Sequence, residues 1–439
     1  MKTWKAVAIG LLAVSTLLLI SFTFSKKSKP KYRSTYLSIP KGCVFRTVMG
    51  EEISDSTIVY LSTAKVQTSL AHGLEWMMKA QGTDGGWGAG SHQRQDVLDP
   101  LAVQADPATT SMVAMALLRG GNTLTSGENS LALRKALTYL LQKIETSDLN
   151  SYNITDQTGT QIQVKLGANI DVILASQFLS NLLDGNLNDN PQLKERVKKA
   201  NDICVSKIQK TQDVNGSFKG SGWAGVLQSS FATNALEAAQ AQGARVDDAT
   251  LDKAREFQKN NYDSKTGGVK TELGAGVMLY SVTGSARASA KEARRAEEAV
   301  KKAKQEGKLD RDAAPTVQNL EKIGYAKDEA MKYSTAYSIY QSAKVQAQRE
   351  DVMDGFGSNG GEEFLSYLQT GESMIIGKDS EWKQWYDSMS GRLLTIQNDD
   401  GSWSGHHCIT SPVFCTATCL LILSVNNDVN KLTEQGRTH

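Results

Sequence analysis

Five residues within fourteen positions near the C-terminal end carry the groups in this chain best suited to bind a metal: His406, His407, Cys408, Cys415 and Cys419. Imidazole with thiolate suits zinc, and Cys415 and Cys419 stand four apart, on one face of a helix. The spacing matches no standard finger. We expect these to be packing thiols and solvent-facing imidazoles, with no metal and no cofactor. In an oxidising compartment a disulfide from Cys408 to Cys415 or Cys419 is the alternative. Carboxylates are the other candidates. Asp171, in GANIDVILASQF, stands early on an apolar helix, where it either complements the helix N-terminus or lines a cavity mouth. Asp96 and Asp99 lie in a long loop, residues 88–106, of the kind that often carries function. His72 and His92 stand alone and read as satisfied side chains. No catalytic set emerges from these residues.

The elements that position them repeat. Gln397, Asp400, Gly401, Ser402 and Trp403 match Gln81, Asp84, Gly85, Gly86 and Trp87, and again Gln212, Asn215, Gly216, Ser217 and Phe218. The pattern is Q-x-x-[DN]-G-[GS]-[WF], with a worn fourth copy at Gln258, Gly267, Gly268 and Val269. Such repetition outranks any single residue as evidence of fold. Glycine closes a helix in the left-handed conformation, Asp or Asn bonds the turning backbone, and the ring packs over the joint. The Gln amide can satisfy carbonyls left open at the helix end. After two of the loops a proline, Pro107 or Pro412, opens a helix with a small-residue face, ATTSMVAMALL or VFCTATCLLIL.

These motifs resemble those of the terpenoid-cyclase and protein-prenyltransferase toroid, the squalene-cyclase repeat family, over residues 63–425. The resemblance implies an all-α ring of six helical hairpins, (α/α)6, with inner helices around a cavity. Its chemistry is not matched. The family's D-x-D-D acid cluster is absent; Asp310 and Asp312 come closest and lie in a charged stretch. The family's zinc-binding His position, in a Y-H-T context, holds Cys415 between Phe414 and Thr416, and no D-x-C pair precedes it. Aromatic content of 7% is thin for stabilising carbocations.

A chain of 439 residues with net charge +2 and no basic-aromatic motif is a poor nucleic-acid binder. Residues 6–24 are nineteen uncharged positions flanked by lysines, long enough to span a bilayer. Residues 1–25 therefore read as an uncleaved anchor and 26–62 as a polar tether. Flanking charge favours a cytoplasmic domain, but a short anchor of this form serves export, and we place the domain on the extracytoplasmic, periplasmic side. Helical periodicity pairs 64–81 with 107–119, 129–146 with 168–183, 192–212 with 227–242, 248–260 with 273–282, 328–349 with 362–375, and 381–397 with 412–423. Short strand-like pieces occur only at 58–61 and 161–166. Residues 284–315 are charged and alanine-rich; they read as a solvated helical insertion in which 285–314 is a candidate arm for a protein partner. Residues 426–439 form a tail. The function expected is that of a membrane-tethered, non-catalytic binding or scaffold protein. The alternative is an enzyme on a polyprenyl, terpenoid or polysaccharide substrate with unfamiliar residues.

Overall fold

The computed structural model describes residues 62–183, 187, 189–220 and 222–427. The expected anchor, nearly all of the tether, the strand-like piece at 58–61 and most of the tail lie outside them. No helix among the described residues is long and apolar enough to cross a membrane. These residues are predominantly helical. In order they form α1 (Ala64–Lys79), α2 (Pro107–Arg119), α3 (Ser130–Glu145), α4 (Gln161–Leu166), α5 (Ile170–Leu183), α6 (Pro191–Lys210), α7 (Gly225–Ala241) and α8 (Asp248–Lys259). A hairpin of β1 (Tyr262–Asp263) and β2 (Gly268–Val269) follows. Then come α9 (Met278–Gln305), α10 (Val317–Lys322), α11 (Lys327–Ala347), α12 (Glu350–Met353), α13 (Gly361–Ile376), α14 (Trp382–Thr395) and α15 (Pro412–Leu423).

Two kinds of helix result from two kinds of sequence. Every residue of α2, α5, α13 and α15 is buried. A helix buried on all sides must be apolar or satisfy its own polar groups. Here Ser and Thr hydroxyls bond the carbonyl one turn back, as in Ser111 to Pro107 (2.7 Å), Ser366 to Glu362 (2.9 Å) and Thr418 to Phe414 (2.9 Å). By contrast α1 buries only a stripe, Val66, Ser69, Gly73 and Met77, at three-and-four spacing. Helices α6 and α8 do likewise.

The buried helices pack in a cyclic order. Helix α2 lies on α5, α5 on α7, α7 on α9, α9 on α13, α13 on α15, and α15 returns to α2. Each amphipathic helix covers the buried helix that precedes it: α3 on α2, α6 on α5, α8 on α7, α11 on α9, α14 on α13, and α1 on α15. This shifts by one the pairing expected from sequence. Helix α1 does not rest on α2, from which 27 residues (80–106) separate it, whereas ten residues (120–129) join α2 to α3, which packs on it.

Two further expectations are corrected. Residues 161–166 are helical (α4), opened by a capping box in which Thr160 Oγ1 accepts from Gln163 N at 3.1 Å. The charged stretch 284–315 is not a solvated insertion. It is largely the continuation of α9, a single helix about 42 Å long at 1.5 Å per residue. Ala286, Ala290, Ala293, Ala296, Val300 and Ala303 are all buried along it, and Val300 and Ala303 meet Leu309, Leu320 and Ala330 in a small separate core. Small side chains let α11 approach closely, so a thin stripe buries a whole face. Glu298 pairs with Lys378 at 3.1 Å and Arg294 at 3.8 Å, and Glu297 accepts from Gln341.

The interior between the buried helices is filled. Arg119 of α2 donates to Glu372 of α13 (3.1 Å) and to the carbonyl of Leu421 on α15 (2.9 Å). Arg287 of α9 lies between Glu372 (3.9 Å) and Glu237 of α7 (3.7 Å), and Glu237 pairs with Arg255 of α8 (2.8 Å). Ser230 of α7 donates to Gln369 of α13. Ser176, Thr283, Gln369 and Ser373 have no solvent-accessible surface, which leaves no water-sized chamber beside them.

Candidate functional site

Six connections lead into the buried helices, residues 80–106, 146–169, 211–224, 260–277, 348–360 and 396–411, and all but 260–277 are stitched to one another by hydrogen bonds into one layer. Gln161 is its centre. Its Nε2 donates to Ala89 O (3.0 Å), and its Oε1 accepts from Thr410 N (2.8 Å) and Ser411 N (3.1 Å), so one buried amide joins three connections. Ala168 N bonds Gly220 O, Ala224 N bonds Lys165 O, Gly361 N bonds Ile409 O, and Gln95 Nε2 bonds Cys408 O.

The repeated motif anchors this layer to the amphipathic helices. Gln81 Nε2 donates to Gly85 O (2.9 Å) and Ala132 O (3.0 Å), Gln212 Nε2 to Gly216 O (3.5 Å) and Thr250 O (2.7 Å), and Gln397 Nε2 to Gly401 O (2.8 Å) and Ser69 O (3.1 Å). The amide thus ties each loop to the next helix around, where sequence reasoning had it serving the end of its own. Asp84, Asn215 and Asp400 each accept from the backbone two residues on, at 3.0 Å. Gly85, Gly216 and Gly401 have φ of 89–94°, and a Cβ on each would strike the carbonyl of Lys135, Lys253 or His72. Trp87 Nε1 reaches Met77 O and Trp403 Nε1 reaches Leu393 O, both at 2.9 Å. The backbone N–H of Trp87, Phe218 and Trp403 donates to Thr110, Ser229 and Thr416. The fourth copy differs: Gln258 is buried and donates to Val226 O, and Gly268–Val269 form strand β2.

Beneath the layer, at the first turn of α13, sit two buried acids. Glu363 accepts from Tyr280 Oη (2.5 Å) and Phe356 N (3.3 Å); its Oε2 has no hydrogen-bond partner and lies 3.8 Å from His407 Nε2. Glu362 accepts from Ile409 N (3.3 Å), and burial, then the neighbouring Glu363, push its pKa up to about 8. Lys165 stands over the Trp223 ring at 3.9 Å. Within this cluster burial favours the neutral form of Glu362. The cluster borders no concavity able to admit a substrate, because Glu362, Glu363 and Tyr280 are all closed off from solvent. Sequence reasoning passed over these acids; the signal was Gly-Gly-Glu-Glu-Phe at the mouth of a helix whose one other charged residue is Glu372.

The metal candidates are not assembled. Among the described residues no group of His, Cys, Asp and Glu is placed to hold an ion. Cys408, Cys415 and Cys419 are free thiols, and neither disulfide forms. Burial, then Glu362, pushes the Cys408 thiol up to about 11, and burial pushes Cys415 and Cys419 well above the ordinary range. Nearby carboxylates discourage the thiolates zinc needs. His407 Nε2 meets Ser358 O at 2.7 Å, and His406 N donates to Asn359 O.

The carboxylate candidates are dispersed. Asp96 is exposed and paired with Arg94 (2.9 Å), and Asp99 caps a short turn through Leu101 N (3.0 Å). Asp171 is fully buried, not at a cavity mouth; it accepts from Ala108 N (3.1 Å), Gln163 Nε2 (2.8 Å) and Asn153 Nδ2 (3.3 Å). Its neighbour Asp106 caps α2 through Thr109 N (2.7 Å). Burial, then the charge of Asp171, pushes Asp106 up to about 7.

The outer surface of the layer has its own chemistry. Nine of the twelve exposed large apolar side chains among the described residues stand on these connections or one residue beyond, Trp223, Phe356, Leu98 and Leu101 among them. The same six segments contain fourteen Asp and Glu against six Lys and Arg, in a chain whose net charge is +2. The chain matches no protein-family model and no curated protein.

Proposed function

We propose that this chain is an α/α toroid of terpenoid-cyclase and protein-prenyltransferase type, tethered to a membrane by residues 1–25 with its domain on the extracytoplasmic side, and that it is a non-catalytic binding scaffold. The cyclic packing of the buried helices and the three repeated joints support the toroid. The observation that carries the function is the contrast between inside and outside. The interior, where relatives of such a fold would hold a substrate, is closed by Arg119, Glu372, Arg287 and Gln369. The connections outside it present clustered apolar side chains on an acidic ground. That combination suits a basic, apolar segment of a partner protein, since apolar contact supplies affinity and opposite charge steers encounter. An anionic lipid surface would be repelled by the same carboxylates. The stretch 285–314, the other expected docking site, has already spent its alanine stripe on α11 and offers only a charged face.

Photo-crosslinking tests this. A crosslinker placed at Trp223 or Phe356 of the full chain, in native membranes, is expected to capture a protein through a Lys- and Arg-rich apolar segment; one at Lys198 is not. Adducts to lipid alone, or equal adducts at all three positions, would exclude the loop face as the binding surface.

A further inference from the structure

A groove of about 300 Å³ runs between α1 and the C-terminal ends of α2 and α15, at the end of α2 away from the loop layer. Helix α1 lines it with Leu70, Ala71 and Leu74, a second apolar stripe beside the one that α1 buries. Leu70 and Leu74 are half-buried, and Ala71 is exposed. Ala116 of α2 and Leu420 of α15, both buried, form the floor. None of the described residues that line the groove carries a charge. An apolar stripe on a helix calls for a cover.

The described chain begins at this groove, since Ser62 is part of its wall. Three contacts hold Ser62 there. Its Oγ accepts from Asn426 Nδ2 (2.6 Å) and meets Tyr386 Oη (3.3 Å), and its carbonyl accepts from Gln67 Nε2 (3.3 Å). Residue 61 therefore starts within one peptide unit of the wall, about 3.8 Å between Cα atoms. The residues that lead into Ser62 are Ile58, Val59, Tyr60 and Leu61, the longest uninterrupted apolar run of residues 26–62.

We propose that residues 58–61 dock in this groove along α1, as a strap between the N-terminal stretch and the ring. Four extended residues span about 13 Å, and the face of α1 from Gln67 to Leu74 rises about 10 Å. An extended run that is apolar at every position suits a groove with walls on two sides. Gln67 and Asn427 place amides at the rim, where the backbone of such a segment needs partners. The other chain end fits worse, although Asn427 also brings it to the groove. Residues 428–439 hold Asp428, Lys431, Glu434 and Arg437 around Val429 and Leu432, and an uncharged groove would leave those charges unpaired. The docking is independent of the loop face and of the scaffold reading, and it shortens the tether to residues 26–57.

A photo-crosslinker in place of Tyr60, in the detergent-extracted full chain, provides the test. Adducts within the same chain are expected, mapping by peptide mass to 67–74, 116–120 or 420–427. Ala71→Arg puts a charge into the groove from an exposed position and should lower their yield about tenfold or more. With Tyr60 retained, chymotrypsin should cut after Tyr60 and Leu61 about tenfold faster in Ala71→Arg than in the parent chain, because cleavage follows the undocked population. Val59→Asp, on the segment and outside the ring, should do the same and serves if Ala71→Arg unfolds. Adducts joining two copies would put a second copy in the groove, and adducts to 428–439 would put the tail there. Either result, adducts to lipid or detergent alone, or yields and cleavage rates unchanged in the variants, overturns the proposal.

Discussion

The replacement of Gly401 by alanine tests how the helical cycle is closed. Gly401 has φ of 94°, and a Cβ there would lie 2.7 Å from His72 O and 2.8 Å from its carbonyl carbon, both backbone atoms of α1. Gly243 is the matched control: φ is 85°, and nothing lies within 4 Å of its added Cβ. Both substitutions incur the left-handed penalty, ~1–2 kcal/mol. Only Gly401→Ala must also push α1 away by several tenths of an ångström, an overpacking cost of ~1–3 kcal/mol. That displacement stretches the bonds Gln397 Nε2 to Ser69 O (3.1 Å) and Ser69 Oγ to Gln397 Oε1 (2.7 Å), at ~1 kcal/mol or less each. We expect ~3–5 kcal/mol for Gly401→Ala and ~1–2 kcal/mol for Gly243→Ala. Thermal melting of the full chain gives the order, and hydrogen exchange locates the damage, with faster exchange in α1 for Gly401→Ala alone. Equal melting temperatures and unchanged α1 protection would refute the view that this joint closes the cycle.

Other consequences are quicker to state. Trp87→Ala and Trp403→Ala each remove a ring with almost no exposed surface and should cost ~3–5 kcal/mol, without selectively abolishing capture at Trp223; a variant that melts normally but loses capture would contradict this. Gln161→Ala breaks the bonds to Ala89, Thr410 and Ser411 and should lower stability by ~2–4 kcal/mol while raising protease cleavage within 396–411; unchanged cleavage would show that the layer does not depend on it. Asp106 and Glu362 have folded-state pKa values raised to about 7 and about 8, so the folded chain holds protons that the unfolded chain has released. Their contribution is complete below the ordinary carboxylate range and is lost as pH rises through 7 and 8. Denaturant midpoints should therefore fall from pH 5 to pH 8, less steeply in Asp106→Asn; a rise over that range would reverse the assignment.

Much of the helical content was legible in the sequence because burial writes itself into composition. A helix such as α13, with Phe, Leu, Ser, Thr and Gly on every face, cannot be a surface helix, and the spacing of Val66, Ser69, Gly73 and Met77 cannot be an interior one. Which helix covers which was not legible, since periodicity describes a face and not its partner; loop length held the clue. The length of α9 was missed for a related reason. Its first turns, Met278 to Ala286, are uncharged and the rest is charged, so composition suggests a boundary, whereas the alanine stripe continues through the charged part at one period. The site was the least readable. Arg119 and Glu372 are 253 positions apart, and Glu363 acquires its setting from Tyr280 and His407, which no local pattern brings together. The cysteine–histidine cluster misled in the opposite sense, because proximity along the chain does not make side chains converge.

The bond from Asn426 Nδ2 to Ser62 Oγ, 2.6 Å long, joins opposite ends of the described chain and has a consequence for synthesis. Of the described helices α1 leaves the ribosome first, yet the surface it covers, α15, leaves last. Until then its apolar stripe is an orphan, and the order of translation keeps the first hairpin waiting for the whole of the domain. Contacts so distant along the chain are slow to form, and partly made chains expose what they will later bury. The adjacency also makes the starting point arbitrary. A chain that joins residue 427 to residue 62 by a short linker and opens instead in the exposed turn at Gly243 should reach the same fold. In that permuted order α1 emerges soon after α15, so refolding should be faster and the yield of soluble protein higher.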